Sequence, residues 1–353
     1  MNRQFDEELD VETLDDETID EMFASLHLPN DFETVFSATS LVAKTFKPMQ
    51  WAVKGLLPEG CVLFAGRPKL GKSWLAYQIA IAIASGGSVL GKIPVRRGEV
   101  LYMALEDGMT RLQWRLKKLL RDAPVPDRLH LTTEWPALDE GGLEDLEKWL
   151  RRHAYTRLII IDTFQRVKPS SDGSSVYSID FNSLARLTDL THEFPVCIMV
   201  IHHTRKAGAE DAFDTVSGST GLTGAVDATL VLKRSRGRAD AEMHITGRDL
   251  EESAKALKFD QETMMWQLLG EASEVAMGVD RAAILNLLRE SEGGMRPNQI
   301  ADYLDKTVKS VRSILYRMLK DGQVKLLDRG LYTARPISLH EALNPTEGKA
   351  NRG

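Results

Sequence analysis

The chain has 353 residues, of which 43% are hydrophobic and 27% charged, and its formal net charge is −6. This length and apolar content suffice for more than one domain with a buried core. No apolar run is long enough for a bilayer span, and the N-terminus has no signal-peptide pattern, which argues against a membrane or secreted protein. We therefore expect a soluble, cytoplasmic protein without a membrane partner.

The charge is unevenly distributed along the chain. The first 35 residues hold twelve acidic residues and one basic residue, Arg3, so this segment carries −11 and the rest carries +5. The acidic excess prevents this segment from burying much surface, and we predict a disordered arm over 1–35. A mask for a DNA site or a hook for a partner is the alternative interpretation. Because the rest of the chain is basic, nucleic acid is a plausible partner.

From about Leu41 to Gly270, apolar strands alternate with helices. Predicted strands are Val62–Gly66, Val100–Glu106, Arg157–Thr163, Val196–His203, Asp227–Arg234 and Ala241–Arg248, with a hairpin over Leu257–Leu269. Predicted helices between them are Lys72–Ser85, Met109–Leu120 and Asp180–Glu193. This alternation predicts an α/β fold with a mainly parallel sheet covered on both faces. Cys61 and Cys197 each lie in such a strand and suggest neither a disulfide framework nor a zinc site.

The stretch Gly66–Ser73, GRPKLGKS, matches the phosphate-binding pattern G-x-x-x-x-G-K-[ST] at every defined position. A buried strand precedes it and a helix follows, so backbone N–H groups and the helix N-terminus can hold phosphate. We expect Lys72 to bridge the β- and γ-phosphates of ATP and Ser73 to ligate Mg²⁺. The residues expected to bind nucleotide are Gly66, Arg67, Pro68, Lys69, Leu70, Gly71, Lys72, Ser73 and Trp74.

Two later strands end in carboxylates. Asp162 closes the apolar run RLIIID, as in a Walker B segment, and we predict that it holds Mg²⁺ beside Ser73. Glu106 closes VLYMALE on the strand after the phosphate-loop helix, where it could activate water as a general base. Asp107 is expected to cap the next helix.

Two histidines, His202 and His203, end the strand VCIMVIHH. The carboxyl ends of strands are where open α/β sheets bind ligands, so one ring could contact the γ-phosphate. Because side chains alternate along a strand, we expect only one of the two to face the nucleotide. The sequence does not distinguish them.

The order GRPKLGKS, LYMALEDG, LIIIDT, VIHHTRKAG, SGSTGLTGAVDATLVL and HITGRDLEE resembles the RecA-type ATPase family. Within it, the chain is most similar to hexameric plasmid replicative helicases of the RepA type and to related phage and prophage ATPases. The resemblance covers roughly residues 40–270. It implies that Glu106 is the catalytic glutamate, Asp162 the Mg²⁺ ligand and His202 or His203 the γ-phosphate sensor. It also implies that the loops Phe164–Ile179 and Thr204–Thr220 face DNA in the channel of a ring.

Those loops also carry basic residues of their own. Arg166 and Lys168 lie in the first loop, and Arg205 and Lys206 in the second. Flexible basic loops suit sequence-indifferent binding of a phosphate backbone, although basic loop residues are often merely solvated.

Ring ATPases of this family complete each site with an arginine from the neighbouring subunit. Arg248 is our candidate, with Lys233 and Arg234 as alternates, and an ion pair with Asp249 or Glu251 is the competing interpretation. A residue in this role requires a homo-oligomer, and the resemblance favours a hexamer.

Beyond residue 280 the alternation of strands and helices gives way to a run of short amphipathic helices. Helices are predicted at Asp280–Glu290, Arg296–Leu304 and Thr307–Lys320, followed by two short strands within Val324–Thr333. This order resembles a winged helix, whose third helix enters the major groove. Residues 280–335 carry +4, and Lys309 and Arg312 on the third helix are the DNA-binding candidates. Protein docking is the alternative role for such a module.

These interpretations give five segments: an arm over 1–35, a RecA-like ATPase domain over 36–272, a linker over 273–279, a winged helix over 280–336 and a flexible tail over 337–353. We expect an ATP- and Mg²⁺-dependent oligomeric ATPase that binds single-stranded DNA in its channel, most simply a replicative helicase of a plasmid, phage or integrated element. A DNA-binding ATPase that does not unwind, acting in initiation, partition or regulation, is the alternative. A kinase is disfavoured because no acceptor-binding lid is evident, whereas Glu106 suits water as the nucleophile.

Overall fold

The computed structural model describes residues 35–46, 48–169, 176–204, 211–216, 220–234, 240–291, 293–328 and 330–334. The chain divides after Pro48 into two units, so the large unit begins at Met49 and not at the predicted residue 36. Of the predicted acidic arm only Val35 is described, and the predicted tail lies outside the described residues. In the first unit, a short helix α1 spans Ala38–Ala43, and Ser37 caps it by accepting a hydrogen bond from the Ser40 N–H at 3.1 Å.

The second unit contains the strands. They are β1 Trp51–Val53, β2 Leu57–Pro58, β3 Gly60–Gly66, β4 Ser88–Val89, β5 Ile93–Pro94, β6 Glu99–Ala104, β7 Leu129–Thr132, β8 Thr156–Asp162, β9 Cys197–His203, β10 Ala228–Arg234, β11 Ala241–Gly247, β12 Leu250–Asp260, β13 Met265–Glu271, β14 Val324–Asp328 and β15 Leu331–Ala334.

The helices of this unit surround and follow the strands. They are α2 Lys72–Ser85, α3 Met109–Leu120, α4 Leu143–Arg152, α5 Val176–Glu193, α6 Thr220–Gly224, α7 Ala272–Glu290, α8 Pro297–Leu304 and α9 Val308–Lys320. Among the described residues, no helix combines the length and the apolar character needed to cross a bilayer.

Within the described residues, nine strands form one sheet in the order β13-β12-β11-β10-β3-β9-β8-β6-β7. The strands from β10 to β7 run parallel, and β11, β12 and β13 extend the sheet in antiparallel fashion. The predicted α/β fold with a mainly parallel sheet is therefore confirmed. Because the parallel strands share one direction, their carboxyl ends meet at one edge of the sheet, where such folds bind ligands.

Both faces of the parallel strands are covered. Val62 and Phe64 face a core cluster that includes α2, whereas Leu63 and Ala65 face a second cluster that includes α5. Burial on both sides explains why β3 is a continuous apolar run and not an alternating one. Cys61 is fully buried, and burial raises its thiol pKa to about 12.

The C-terminal residues form a third core. Helices α7, α8 and α9 pack around Ile284, Ile300, Val311 and Leu315. Strands β14 and β15 form an antiparallel hairpin, and Met295 pairs with Tyr332 beside it. These are the three helices and the hairpin expected from the sequence.

One predicted segment is different in the structure. Residues 273–279, predicted as a linker, form the first turns of α7, which runs unbroken from Ala272 to Glu290. The strand β13 ends at Glu271 and the helix begins at the next residue, so no irregular connection separates the large sheet from the C-terminal helices. Small residues such as Ala276 and Gly278 weaken the apolar periodicity of this stretch without ending the helix.

Candidate nucleotide-binding site

The phosphate-loop residues connect β3 to α2. Gly66 is the last residue of β3, and a side chain there would lie 2.8 Å from the carbonyl oxygen of Leu232 on the neighbouring strand. Gly71 immediately precedes α2 with a φ of +91°, in the left-handed region that favours glycine. The two glycines of the pattern are therefore required by close backbone packing and by backbone conformation.

Lys72, at the start of α2, is almost fully buried. Its ammonium donates to the carbonyl oxygens of Gly66 at 2.6 Å and Arg67 at 3.0 Å, and lies 3.1 Å from Nδ1 of His203. Burial lowers the pKa of Lys72 to about 8, while the carboxylates of Asp162 and Glu106 oppose that shift. The loop thus holds one cation at its centre.

Ser73 and Asp162 are brought together, as the sequence predicted. A hydrogen bond links their side chains, and the hydroxyl of Tyr102 donates to Oδ2 of Asp162 at 3.0 Å. Asp162 is 4% exposed, and burial raises its pKa although both hydrogen bonds oppose the rise. A hydroxyl and a carboxylate are hard oxygen ligands of the kind that Mg²⁺ prefers. This pair therefore fits the expected metal.

Glu106 lies just beyond the carboxyl end of β6, which stops at Ala104. The hydroxyl of Thr163 donates to its Oε1 at 2.9 Å, and its side chain is 46% exposed. Because β6 and β8 are neighbours and Ala104 pairs with Asp162, the two carboxylates share one edge of the sheet. The Glu106 carboxylate is therefore held by Thr163 and also accessible to solvent.

Asp107 does not cap α3 as expected. Gly108 occupies the cap position without a side-chain hydrogen bond, whereas the Asp107 carboxylate pairs with Arg111 and Arg115 of the helix. The side chain of Asp107 is 8% exposed, so its charge is compensated by the guanidinium groups and not by the helix N-terminus.

The two histidines at the end of β9 occupy different surroundings. His203 lies within 3.1 Å of Lys72 and 3.8 Å of Glu106, so it belongs to the site. His202 lies against the ring of Phe164, with centroids 6.4 Å apart, and burial lowers its pKa to about 4. The alternation of strand side chains separates the two rings, as expected, and identifies His203 as the one beside the phosphate loop.

An aromatic cavity of about 740 Å³ opens beside the loop. Trp74 and Trp114 meet edge to face with ring centroids 5.7 Å apart, and the guanidinium of Arg115 lies 5.4 Å from the Trp74 ring. Thr110, Arg111 and Met264 also line this cavity. Trp74 follows Ser73 directly, so flat rings and cations surround a space next to the phosphate loop. Trp114 was not predicted from the sequence, although a tryptophan among the basic residues of a predicted helix is a usable signal.

A second residue missed from the sequence is Trp266 of β13. Its indole N–H donates to the carbonyl oxygen of Gly71 at 3.1 Å. Gln78 of α2 binds the backbone N–H and C=O of Trp266, each at 2.9 Å. The antiparallel end of the sheet therefore supports the phosphate loop. The two residues are nearly 200 positions apart in the chain, so no local sequence pattern predicts this contact.

The residues predicted to contact DNA differ in how exposed their side chains are and in whether the structure describes them. Arg166 is exposed after β8, and Lys309 and Arg312 are exposed on α9. Lys168 is not presented to solvent, because its ammonium binds the Asp180 carboxylate at 2.8 Å with only 15% of its side chain exposed. Arg205 and Lys206 lie outside the described residues.

Arg248 lies far from the phosphate loop of its own chain. Its guanidinium pairs with Asp227 at 3.4 Å, and not with Asp249 or Glu251, and also donates to the carbonyl oxygen of Gly224 at 3.3 Å. Asp227 precedes β10 and Arg248 follows β11, so both lie at the edge where the parallel strands begin. Lys233 and Arg234, the alternates, lie at the opposite end of β10.

A family model described as an AAA domain matches residues 29–209, which is just over half of the chain. No curated protein sequence matches this chain significantly.

Several solved structures share the fold. The structure of a DnaB-like replicative helicase with its interactions with primase is 15% identical, with a TM-score of 0.50, and the match covers 70% of this chain and 71% of that one. A solved ATPase domain is 16% identical, with a TM-score of 0.48 and coverage of 60% and 85%. A KaiC-like protein from Pyrococcus horikoshii OT3 is 12% identical, with a TM-score of 0.44 and coverage of 62% and 93%. At these identities the likeness concerns the fold alone.

Proposed function

Since the chain belongs to the AAA domain family, we propose that it is an ATP-hydrolysing, DNA-binding oligomer, and most specifically a replicative DNA helicase of a plasmid, phage or integrated element. The observation that carries this proposal is the convergence of Lys72, Ser73, Asp162, Glu106 and His203 at the carboxyl edge of one sheet. Only Lys72 and Ser73 belong to the phosphate loop, and the other three come from the ends of three separate strands. Their assembly is what hydrolysis of a phosphoanhydride requires.

Each residue has a distinct task in the proposed reaction. The N–H groups at the start of α2 and the Lys72 ammonium bind the phosphates, and the ammonium must exchange its carbonyl partners for phosphate oxygens. Glu106, held by Thr163, orients water and accepts its proton. Ser73 and Asp162 would hold Mg²⁺, which when bound neutralises charge on the β- and γ-phosphates. His203 would contact the γ-phosphate from its position between Lys72 and Glu106.

The aromatic cavity beside the loop supports a place for the base. Trp74 and Trp114 offer ring faces and edges, and Arg115 adds a cation. A purine stacked on such groups gains roughly 1–3 kcal/mol. The cavity therefore suits the adenine of ATP.

The oligomeric part of the proposal rests on Arg248. A surface guanidinium paired with Asp227 at the sheet edge away from its own phosphate loop cannot serve that loop, but it could complete the site of a neighbour. A hexameric ring is the arrangement we favour. In such a ring, the loops bearing Arg166, Arg205 and Lys206 would face single-stranded DNA.

The helices α7, α8 and α9 and the hairpin of β14 and β15 support the proposed winged helix, although α7 begins before the predicted domain boundary at 280. Lys309 and Arg312 are exposed on its third helix, while Val311, Ile314 and Leu315 are buried on the other side. This arrangement leaves a basic face for DNA, in accordance with the expected duplex contact.

A fork-unwinding assay with the purified full chain, ATP and Mg²⁺ tests the proposal. DNA-stimulated hydrolysis with strand separation supports the helicase. Hydrolysis and DNA binding without separation favour the alternative, a DNA-binding ATPase acting in replication initiation, partition or regulation. Absence of both DNA binding and assembly would contradict both.

The nucleotide site itself is tested by Lys72→Ala, with Lys118→Ala on the exposed face of α3 as a control. We expect Lys72→Ala to abolish turnover and Lys118→Ala to retain it. Hydrolysis by Lys72→Ala at the wild-type rate would overturn the assignment of the phosphate loop.

A further inference from the structure

A second cluster of titratable side chains lies at the edge of the sheet opposite the phosphate loop. Glu99 is the first residue of β6, His130 is the second residue of β7, and His153 lies between α4 and β8. One nitrogen of each imidazole and one carboxylate oxygen lie within 4.8 Å of one another. Among the described residues, this is the one group of three such side chains that meets this distance.

One of the three pairs, which is a hydrogen bond in this structure, already has the spacing that a small divalent cation requires. In a tetrahedral zinc site, ligands at about 2.0–2.1 Å from the metal are about 3.3 Å from one another. Nδ1 of His153 already lies 3.1 Å from Oε2 of Glu99. Two imidazoles and one carboxylate are also a ligand set that binds Zn²⁺ with a fourth position left to water.

His130 provides an independent observation. In the described part of the chain, its Nε2 is buried and has no hydrogen-bond partner. A buried polar atom without a partner is costly, and such atoms are rare in folded proteins. A cation bound through Nε2 would give this atom the partner that the described residues do not supply.

Trp149 of α4 fixes the orientation of both rings. Its indole stacks on His153 with centroids 3.7 Å apart and planes 12° apart, and meets His130 edge to face at 4.9 Å. Rings held by packing lose little freedom when they bind a metal, which favours a preorganised site.

We propose that Glu99, His130 and His153 bind one Zn²⁺ ion. The three ligands come from the beginnings of β6 and β7 and from the connection that precedes β8, so the ion would join three adjacent parts of the sheet. Its distance from the catalytic edge assigns it to stability and not to hydrolysis. This proposal does not depend on the proposed function.

Equilibrium dialysis of the chelator-treated full chain against Zn²⁺ tests the proposal, with excess Mg²⁺ present to occupy Ser73 and Asp162. We expect one Zn²⁺ per chain and an increase in thermal stability on binding. His130→Ala and His153→Ala should each weaken binding by more than about a hundredfold, beyond the roughly 10–100-fold typical of residues that only support a ligand. His244→Ala is the matched control, because His244 lies 3.5 Å from Glu242 without a third ligand among the described residues.

A measurement on the wild-type chain makes the result independent of whether the variants fold. Zn²⁺ should protect the partly exposed His153, but not His192 or His244, from acylation by diethylpyrocarbonate as mapped by mass spectrometry. Absence of stoichiometric Zn²⁺ from the wild type would overturn the site. So would Zn²⁺ binding to the wild type without protection of His153, or Zn²⁺ affinity that is unchanged in His130→Ala.

Discussion

Nδ1 of His203 lies 3.1 Å from Nζ of Lys72. Since an ammonium group can only donate hydrogen bonds, the imidazole accepts through Nδ1 and carries its proton on Nε2. That second nitrogen lies 3.8 Å from Oε2 of Glu106. One ring therefore contacts both the cation of the phosphate loop and the carboxylate proposed to activate water.

Replacing His203 should affect hydrolysis more than replacing His202. In His203→Ala we expect kcat to fall about a hundredfold, the typical effect of losing one group that contacts developing charge. His202→Ala, the matched control on the opposite side of the strand, should change kcat little. Steady-state ATPase assays of both variants provide the measurement, and equal loss in the two would contradict the assignment of His203.

Replacing Glu106 should separate binding from chemistry. In Glu106→Gln the amide keeps the shape of the side chain but cannot accept a proton, so we expect turnover to fall about 10²–10⁴-fold. Affinity for ATP, measured by fluorescence titration of Trp74 and Trp114, should change by less than about threefold because the phosphate contacts remain. A large loss of affinity with retained turnover would argue against the proposed role.

Replacing Trp266 tests the support of the phosphate loop. Trp266→Phe removes the hydrogen bond to the Gly71 carbonyl oxygen while preserving an aromatic ring, and should destabilise the fold by about 1 kcal/mol. Affinity for ATP should also decrease, because the loop loses a fixed contact. Urea denaturation and nucleotide titration measure the two effects. A variant with unchanged stability and unchanged affinity would show that this contact does not support the loop.

Lys168 and Arg166 should respond differently to truncation, although both were predicted to contact DNA. Lys168→Ala leaves the nearly buried Asp180 carboxylate without its partner and should cost about 3–5 kcal/mol of unfolding free energy. Arg166→Ala, at an exposed position, should leave stability within about 0.5 kcal/mol and weaken DNA binding instead. Denaturation and DNA-binding titrations distinguish these outcomes. The opposite pattern would restore Lys168 as the DNA contact.

Stability should fall as the pH falls from about 6.5 to about 4, partly through His202. Burial lowers the pKa of His202 from 6.5 in the unfolded chain to about 4 in the folded one, with Asp180 opposing this and His203, Lys168 and Lys72 adding to it. The unfolded state therefore binds the proton first, and stability is lost across that window. His202→Gln cannot titrate, so its unfolding free energy should decline less steeply over the same pH range in urea titrations. Identical slopes would contradict the low pKa.

The sequence was sufficient where the signal was local. Helices Lys72–Ser85 and Met109–Leu120 have the predicted bounds, because glycines delimit the first and a strong apolar periodicity marks the second. The strand carrying Glu106 ends two residues earlier than predicted, since Leu105 and Glu106 form the turn that presents the carboxylate. Local patterns thus predicted the ends of these two helices more accurately than the end of this strand.

Long-range contacts could not be predicted in this way. The sequence left His202 and His203 equivalent, and only the packing of Phe164 and Lys72 on opposite sides of β9 separates them. Lys168 was indistinguishable from a solvated cation until Asp180, twelve residues later, was placed beside it. Trp266 reaches Gly71 through the order of strands in the sheet, which depends on tertiary pairing and not on periodicity.

Helix α7 has a mechanical consequence. It begins at the residue after β13, the strand whose Trp266 touches the phosphate loop, and its 19 residues extend for about 28 Å. An unbroken helix of this length resists bending more than an irregular linker of the same number of residues would. The strand that contacts the phosphate loop is therefore joined to the C-terminal helices through continuous regular backbone hydrogen bonding.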